Sequence, residues 1–305
     1  MDTDSGIRRR ARSILPLRFL RDGVAAARRV HGDVGAKDFA LSAAAWAAGL
    51  AWGVPALTTL TVLAGNLGLR PERLQRLYAI YADVQLRLLG VRWRAEVDPA
   101  VNPRTPYFFF QNHVNHFDFI ACHNATPHYR QGIELDEHFR IPLYGPFMRS
   151  RGTIAVRKGG AGRLAELRNR CREELALGRS ILAFPEGTRT LDGKVGPFKT
   201  GLFVVARDLG TPIVPVAVRG TWNLMRKGSA LLRPGAQVVV HVGAPVPTRD
   251  VTDEGLPALV AAVHDWIAEH AEGGERLSRP NRGLQPAAAV PTEAAAGGPG
   301  DPTDR

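Results

Sequence analysis

From Phe39 to Leu69 the chain runs for 31 residues without a charge. A soluble helix rarely needs such a run, because at least one of its faces must meet water. As one helix the stretch would extend about 46 Å, but Pro55 at its centre predicts a break. The halves of 16 and 14 residues would each be shorter than the ~30 Å hydrocarbon core of a bilayer. Arg70, Arg73, Arg76 and Arg87 follow the run, and Arg28, Arg29 and Lys37 precede it. Basic flanks at both ends place both ends on the cytoplasmic side. The expectation is a membrane-associated helical hairpin over residues 39–72, dipping into one leaflet from the cytoplasmic face of the cell membrane. The competing reading, which the many Ala and Gly residues allow, is a buried helix pair covering a sheet.

The rest of the 305-residue chain is long enough for one large α/β domain, expected over residues 73–272. Residues 1–38 hold nine Arg and Lys against five Asp, with apolar Leu15, Leu17, Phe19 and Leu20 interspersed. That composition suits contact with an acidic membrane surface, or a flexible basic tail. The start is too polar for a cleavable signal peptide. Beyond Gly273 the sequence is rich in Ala, Pro and Gly without periodicity, so 273–305 is expected to be a disordered tail. Cys122 and Cys171 have no metal-ligand spacing and read as ordinary thiols. The net charge of +11 favours anionic partners without choosing among them. It carries no interleaved stacking aromatics, so no nucleic acid is expected.

Within the domain the periods are clear. Leu74 to Leu89 has helical spacing and ends at Gly90; Val91 to Val97 alternates as a strand. Gly162 to Leu177 is an amphipathic helix that leads to a strand at Ile181, forming a β-α-β unit. Further strands are expected at Ile213 to Arg219 and Val238 to Val242, and a last helix from Leu256 to His270. The fold class is therefore α/β, with a mixed, largely parallel sheet flanked by helices and the apolar hairpin at its N-terminal end.

Chemistry concentrates at the stretch Tyr107–Asp118. Tyr107 to Phe110 reads as a buried strand, His113 stands at its exit, and Asp118 follows five residues on. In a regular helix these two side chains would point about 140° apart. They meet only if the chain turns between them, leaving His113 in a loop and Asp118 on the first turn of a helix. A carboxylate there would fix the imidazole tautomer and leave the other nitrogen as a base. The plainer reading is a loop histidine beside a capping aspartate. His116 lies within the same stretch, but His113, His116, His123 and His128 lack the spacing of a zinc site, so no metal is expected.

A second strand-and-turn, Ile181–Arg189, repeats the arrangement seventy residues later and puts Glu186, Gly187 and Arg189 at a strand exit. Together, Asn112-His113 to Asp118 resembles the HX4D motif, and Phe184 to Arg189 the FPEGTR motif, of the glycerolipid (1-acylglycerol-3-phosphate) acyltransferases. Gly152 to Arg157 and Pro212 to Val218 resemble two further blocks of that family, in the same order. Asn115 departs from it, relatives commonly carrying Ser there. The resemblance covers roughly residues 75–245. It implies catalysis by His113 and Asp118, with substrate binding by Arg157, Glu186, Gly187, Thr188, Arg189 and Lys199.

The implied reaction moves an acyl group from a thioester, acyl-CoA or acyl-carrier protein, to the hydroxyl of a lysophospholipid such as 1-acylglycerol 3-phosphate. The thioester is a co-substrate, and no cofactor is called for. No GxSxG elbow occurs and no cysteine neighbours His113, so the expected route is direct transfer with His113 as general base. Glu186, being an anion, is expected to orient Arg189 or accept a glycerol hydroxyl rather than touch phosphate. Alternatives are a different lipid acceptor, such as an amino lipid, or a catalytically silent lipid-binding module.

Overall fold

A computed structural model describes residues 15–159 and 162–273, with side chains from 22 onward. The expected tail beyond Gly273 and the first 14 residues of the basic N-terminal segment lie outside the described residues. Two helices come first, α1 (Leu15–His31) and α2 (Ala36–Thr61), and α2 runs on through a π-helical turn to Asn66. The break expected at Pro55 is absent: the proline sits inside one continuous helix, and the turn of the N-terminal helix pair falls at 32–35 instead.

The reason is tertiary. An interior proline costs about 3 kcal/mol, whereas burying two leucine side chains returns about 3–6 kcal/mol. Leu57 and Leu60 are buried just beyond the proline, and Trp52 Nε1 donates to the Tyr81 carbonyl at 3.3 Å just before it. Ser42, Ala45, Gly49, Gly53, Leu57 and Leu60 form the buried stripe of α2. It faces α3 (Gln75–Leu88) so closely that a Cβ at Gly49 or Gly53 would lie 2.8–2.9 Å from the Gln85 amide. Outside that stripe Leu41, Leu50 and Val54, and Val62 in the π-helical turn, are exposed. Ala36–Asn66 is the one helix among the described residues long and apolar enough to cross a membrane.

The helix α3 ends where the glycine predicts, with Gly90 at φ +73° and Val91 N–H bonded to the Leu86 carbonyl at 2.9 Å. Then follow β1 (Arg92–Val97), β2 (Phe108–Gln111), α4 (Asp118–His123), β3 (Arg130–Leu135), α5 (Tyr144–Arg151), β4 (Ile154–Val156), α6 (Arg163–Ala176) and β5 (Ser180–Ala183). The chain closes with α7 (Gly201–Asp208), β6 (Ile213–Arg219), α8 (Thr221–Leu224), β7 (Gln237–Val242) and α9 (Leu256–Glu272).

One seven-stranded sheet has the order β1-β7-β6-β2-β5-β3-β4. Only the β6–β7 pair is antiparallel. The β4-α6-β5 unit is right in direction, but β3 inserts between its two strands. The central strand β2 pairs with β5 on one side (Phe110 opposite Ala183) and β6 on the other (Gln111 opposite Val216). All three point the same way, so their carboxyl ends open on one edge, where ligands bind in sheets of this class.

The strand period of two sends the phenylalanines of β2 to opposite faces. Phe110 packs on Phe203 of α7, centroids 4.8 Å apart, while Phe109 lies under the Arg130 guanidinium at 4.3 Å. Arg130 is buried and has no carboxylate partner among the described residues; it donates instead to the Cys122 and His123 carbonyls that end α4, and to Thr126 Oγ1. Arg130→Met would strip those carbonyls of a charged donor. We expect a loss of about 3 kcal/mol, seen as a melting temperature lower by about 6–12 °C. A shift under 2 °C would mean that water replaces the guanidinium at no cost.

Candidate active site

Three amide side chains shape the loop that carries His113. Gln111 Nε2 donates to the Asp118 carbonyl at 3.0 Å. Asn112 continues the sheet with its side chain, donating to the Val218 carbonyl at 3.0 Å and accepting from Val218 N–H at 2.7 Å. Asn115 accepts from Phe117 N–H at 2.8 Å and donates to the Thr221 and Met225 carbonyls at 2.7 and 3.2 Å. The amide nitrogen thus ties the loop to α8 and the residue after it while the oxygen holds the loop's own turn, a combination a serine hydroxyl could not supply alone.

The turn brings His113 and Asp118 together. Asp118 is fully buried at the start of α4, and its Oδ2 lies 3.0 Å from His113 Nδ1. The same oxygen accepts Val114 and Asn115 N–H at 2.6 and 2.8 Å. Backbone amides thus stabilise the carboxylate, and an ionised Asp118 makes Nδ1 the protonated nitrogen. Nε2 has no hydrogen-bond partner among the described residues and is the open, basic side of a partly exposed ring. Phe184 stacks on that ring at 4.1 Å and 22°.

Glu186 does not orient Arg189. Its Oε1 accepts His113 N–H at 2.6 Å and its Oε2 accepts Gly196 N–H at 2.9 Å, so the buried carboxylate clamps the His113 loop to the loop after β5. Burial holds its pKa above the usual carboxylate value, against the pull of those two amides. Thr190 N–H adds a bond to the His113 carbonyl at 2.9 Å. Gly187 takes φ +67°, and a Cβ there would lie 2.5 Å from Lys199 Nζ, so the lysine ammonium rests on the bare turn. Arg189 Nη1 lies 2.8 Å from His116 Nε2. A guanidinium only donates, so that imidazole nitrogen accepts and the ring is neutral.

Two features depart from the sequence expectation. Arg157 leaves β4, three strands or about 14 Å from β2; its side chain is 86% exposed and its nearest charge is Asp136 at 3.8 Å. The structure does not bring it to His113. Lys227, which the sequence reading passed over, does reach the turn after β5. Its Nζ donates to Thr188 Oγ1 and to the Arg189 carbonyl, both at 2.9 Å. The available signal was an Arg-Lys-Gly turn shortly after a strand parallel to β2. Among the described residues, no three His, Cys, Asp or Glu side chains converge as metal ligands.

Residues 94–219, spanning the sheet from β1 to β6 and carrying both motifs, match the model of the acyltransferase family. Over this segment the chain is similar to that family. The chain is 33% identical over 139 residues to a chloroplastic 1-acyl-sn-glycerol-3-phosphate acyltransferase of Brassica napus, covering 45% of this chain and 40% of the relative. A protein of the same name from Chlamydomonas reinhardtii is 31% identical over 180 residues, with 59% and 54% covered. The chain thus spans about half the length of these relatives. The human alpha enzyme of that name is 28% identical over 215 residues, with 66% and 76% covered. In three dimensions the fold resembles the crystal structure of the 1-acyl-sn-glycerophosphate acyltransferase PlsC of Thermotoga maritima. The TM-score is 0.63 at 21% identity, over 77% of this chain and 95% of that one.

Proposed function

We propose that this protein transfers an acyl group from a thioester, acyl-CoA or acyl-carrier protein, to the free hydroxyl of a lysophospholipid, 1-acylglycerol 3-phosphate, forming phosphatidic acid. The observation that carries the reading is one imidazole with Nδ1 held by a buried carboxylate and Nε2 open, beside a turn ringed by cations. The names of the relatives support the acceptor. His113 Nε2 takes the proton as the acceptor oxygen attacks the thioester carbonyl; the C–S bond breaks and the thiol leaves with the proton. Asp118 stabilises the imidazolium in between. Arg189 and Lys199 bind the phosphate end, while Gly187 and Thr188 leave room for it. The exposed apolar side of α2, with Arg70, Arg73 and Arg76 beyond its end, supports attachment to the cytoplasmic face of a membrane.

The test is thiol release from palmitoyl-CoA by the full chain in membranes, with and without 1-acylglycerol 3-phosphate. Release that requires the acceptor, together with formation of the diacyl product, is expected. Hydrolysis of the thioester at the same rate without acceptor would make the protein a thioesterase and sink the proposal.

A further inference from the structure

The chain between β6 and β7 returns over the exit of β5 and lays one lysine on it. Lys227 Nζ spends two of its three hydrogens on Thr188 Oγ1 and the Arg189 carbonyl. The third is uncommitted, and no Asp or Glu among the described residues pairs with this half-buried ammonium. Arg189 meets only a neutral imidazole, and Lys199 Nζ rests on Gly187. Three cationic side chains thus meet at residues 187–189, and none of them forms an ion pair with Asp or Glu among the described residues. An anion bound at this turn is attracted by all three.

The footing of Lys227 is fixed from behind. Arg226 lies 4.9 Å over the Trp222 ring and donates to the Val30 carbonyl at the end of α1 at 3.1 Å. The lysine thus presents its charge from a braced backbone. It also lies beyond residue 219, outside the segment that matches the family model.

We infer that Lys227 makes the acceptor site selective for a phosphate monoester over a phosphodiester, a conclusion that rests on the acyltransferase reading of that site. A monoester carries between one and two negative charges at neutral pH and offers three terminal oxygens; a diester carries one charge and offers two. Arg189 and Lys199 suffice for the diester. The third cation and its free hydrogen match the extra charge and oxygen of the monoester.

The experiment is calorimetric binding of 1-oleoylglycerol 3-phosphate and of its phosphodiester counterpart, 1-oleoyl-glycerophosphoglycerol, to the full chain in detergent without thioester. Wild type is expected to favour the monoester. Lys227→Gln weakens monoester binding by about 10- to 30-fold, the worth of one charge-assisted hydrogen bond, and diester binding by less than about threefold. Lys227→Arg restores most of the preference, which keeps the test valid if the glutamine variant folds poorly. In turnover the loss falls on the acceptor's KM, with kcat within about threefold. Equal weakening for both ligands would reduce Lys227 to a tie holding the turn, and unchanged binding would remove it from the site; either overturns the inference. Selective binding without acyl transfer would instead leave the headgroup site standing and refute the acyltransferase reading.

Discussion

His113→Ala is expected to lower acyl transfer by about 10³- to 10⁴-fold while leaving the acceptor's KM within about threefold. The acceptor hydroxyl is a weak nucleophile, and Nε2 of His113 is the open basic nitrogen beside the cationic turn. The side chain does little else: its backbone N–H and carbonyl, not its ring, make the bonds to Glu186 and Thr190. Truncation at Cβ therefore removes the base and its stacking on Phe184 but keeps the clamp. Acceptor affinity should survive, because the cations lie on the following turn. The check is acceptor-dependent thiol release by protein with an unaltered circular dichroism spectrum. Activity within tenfold of wild type would show that another group takes the proton.

Asp118→Asn is expected to cost about 10²- to 10³-fold in kcat and also some stability. One oxygen, Oδ2, serves two backbone N–H groups and the imidazole, so an asparagine must put its carbonyl there; its amide nitrogen would face two donors. The carbonyl keeps the His113 tautomer, and the rate falls because the imidazolium loses its counter-charge. The amide nitrogen then occupies the place of Oδ1, which is buried without a partner. Leaving that donor unsatisfied costs about 1–3 kcal/mol. Paired measurements of kcat and urea stability separate the two effects. A variant with nearly full kcat but reduced stability would make Asp118 a loop brace alone.

How much of this was legible differs from residue to residue. The His113–Asp118 pairing could be derived from a spacing of five plus the need for a turn, because a strand exit followed by a helix start is a local event. The largely parallel sheet followed from apolar strands separated by an amphipathic helix. The insertion of β3 between β4 and β5 did not, since strand order is not written in the period of any one segment. Glu186 was read by its charge as a partner of Arg189, whereas its position is set by two backbone amides far apart in sequence, those of His113 and Gly196. Arg157 belongs to a matching block, yet β4 closes the edge of the sheet and carries it away from β2.

The sequence by itself determined what is local: the strand and helix periods, the turn that opposes one imidazole to one carboxylate, and the glycine at the exit of β5. Tertiary structure alone decided that α2 runs through Pro55, because leucines buried against other helices outweigh one lost hydrogen bond. It alone brought Lys227 onto Thr188 and Arg189, 39 and 38 positions earlier in the chain. Contacts of that kind depend on strand order and on where loops cross the sheet edge, and those are set by burial summed over the whole molecule.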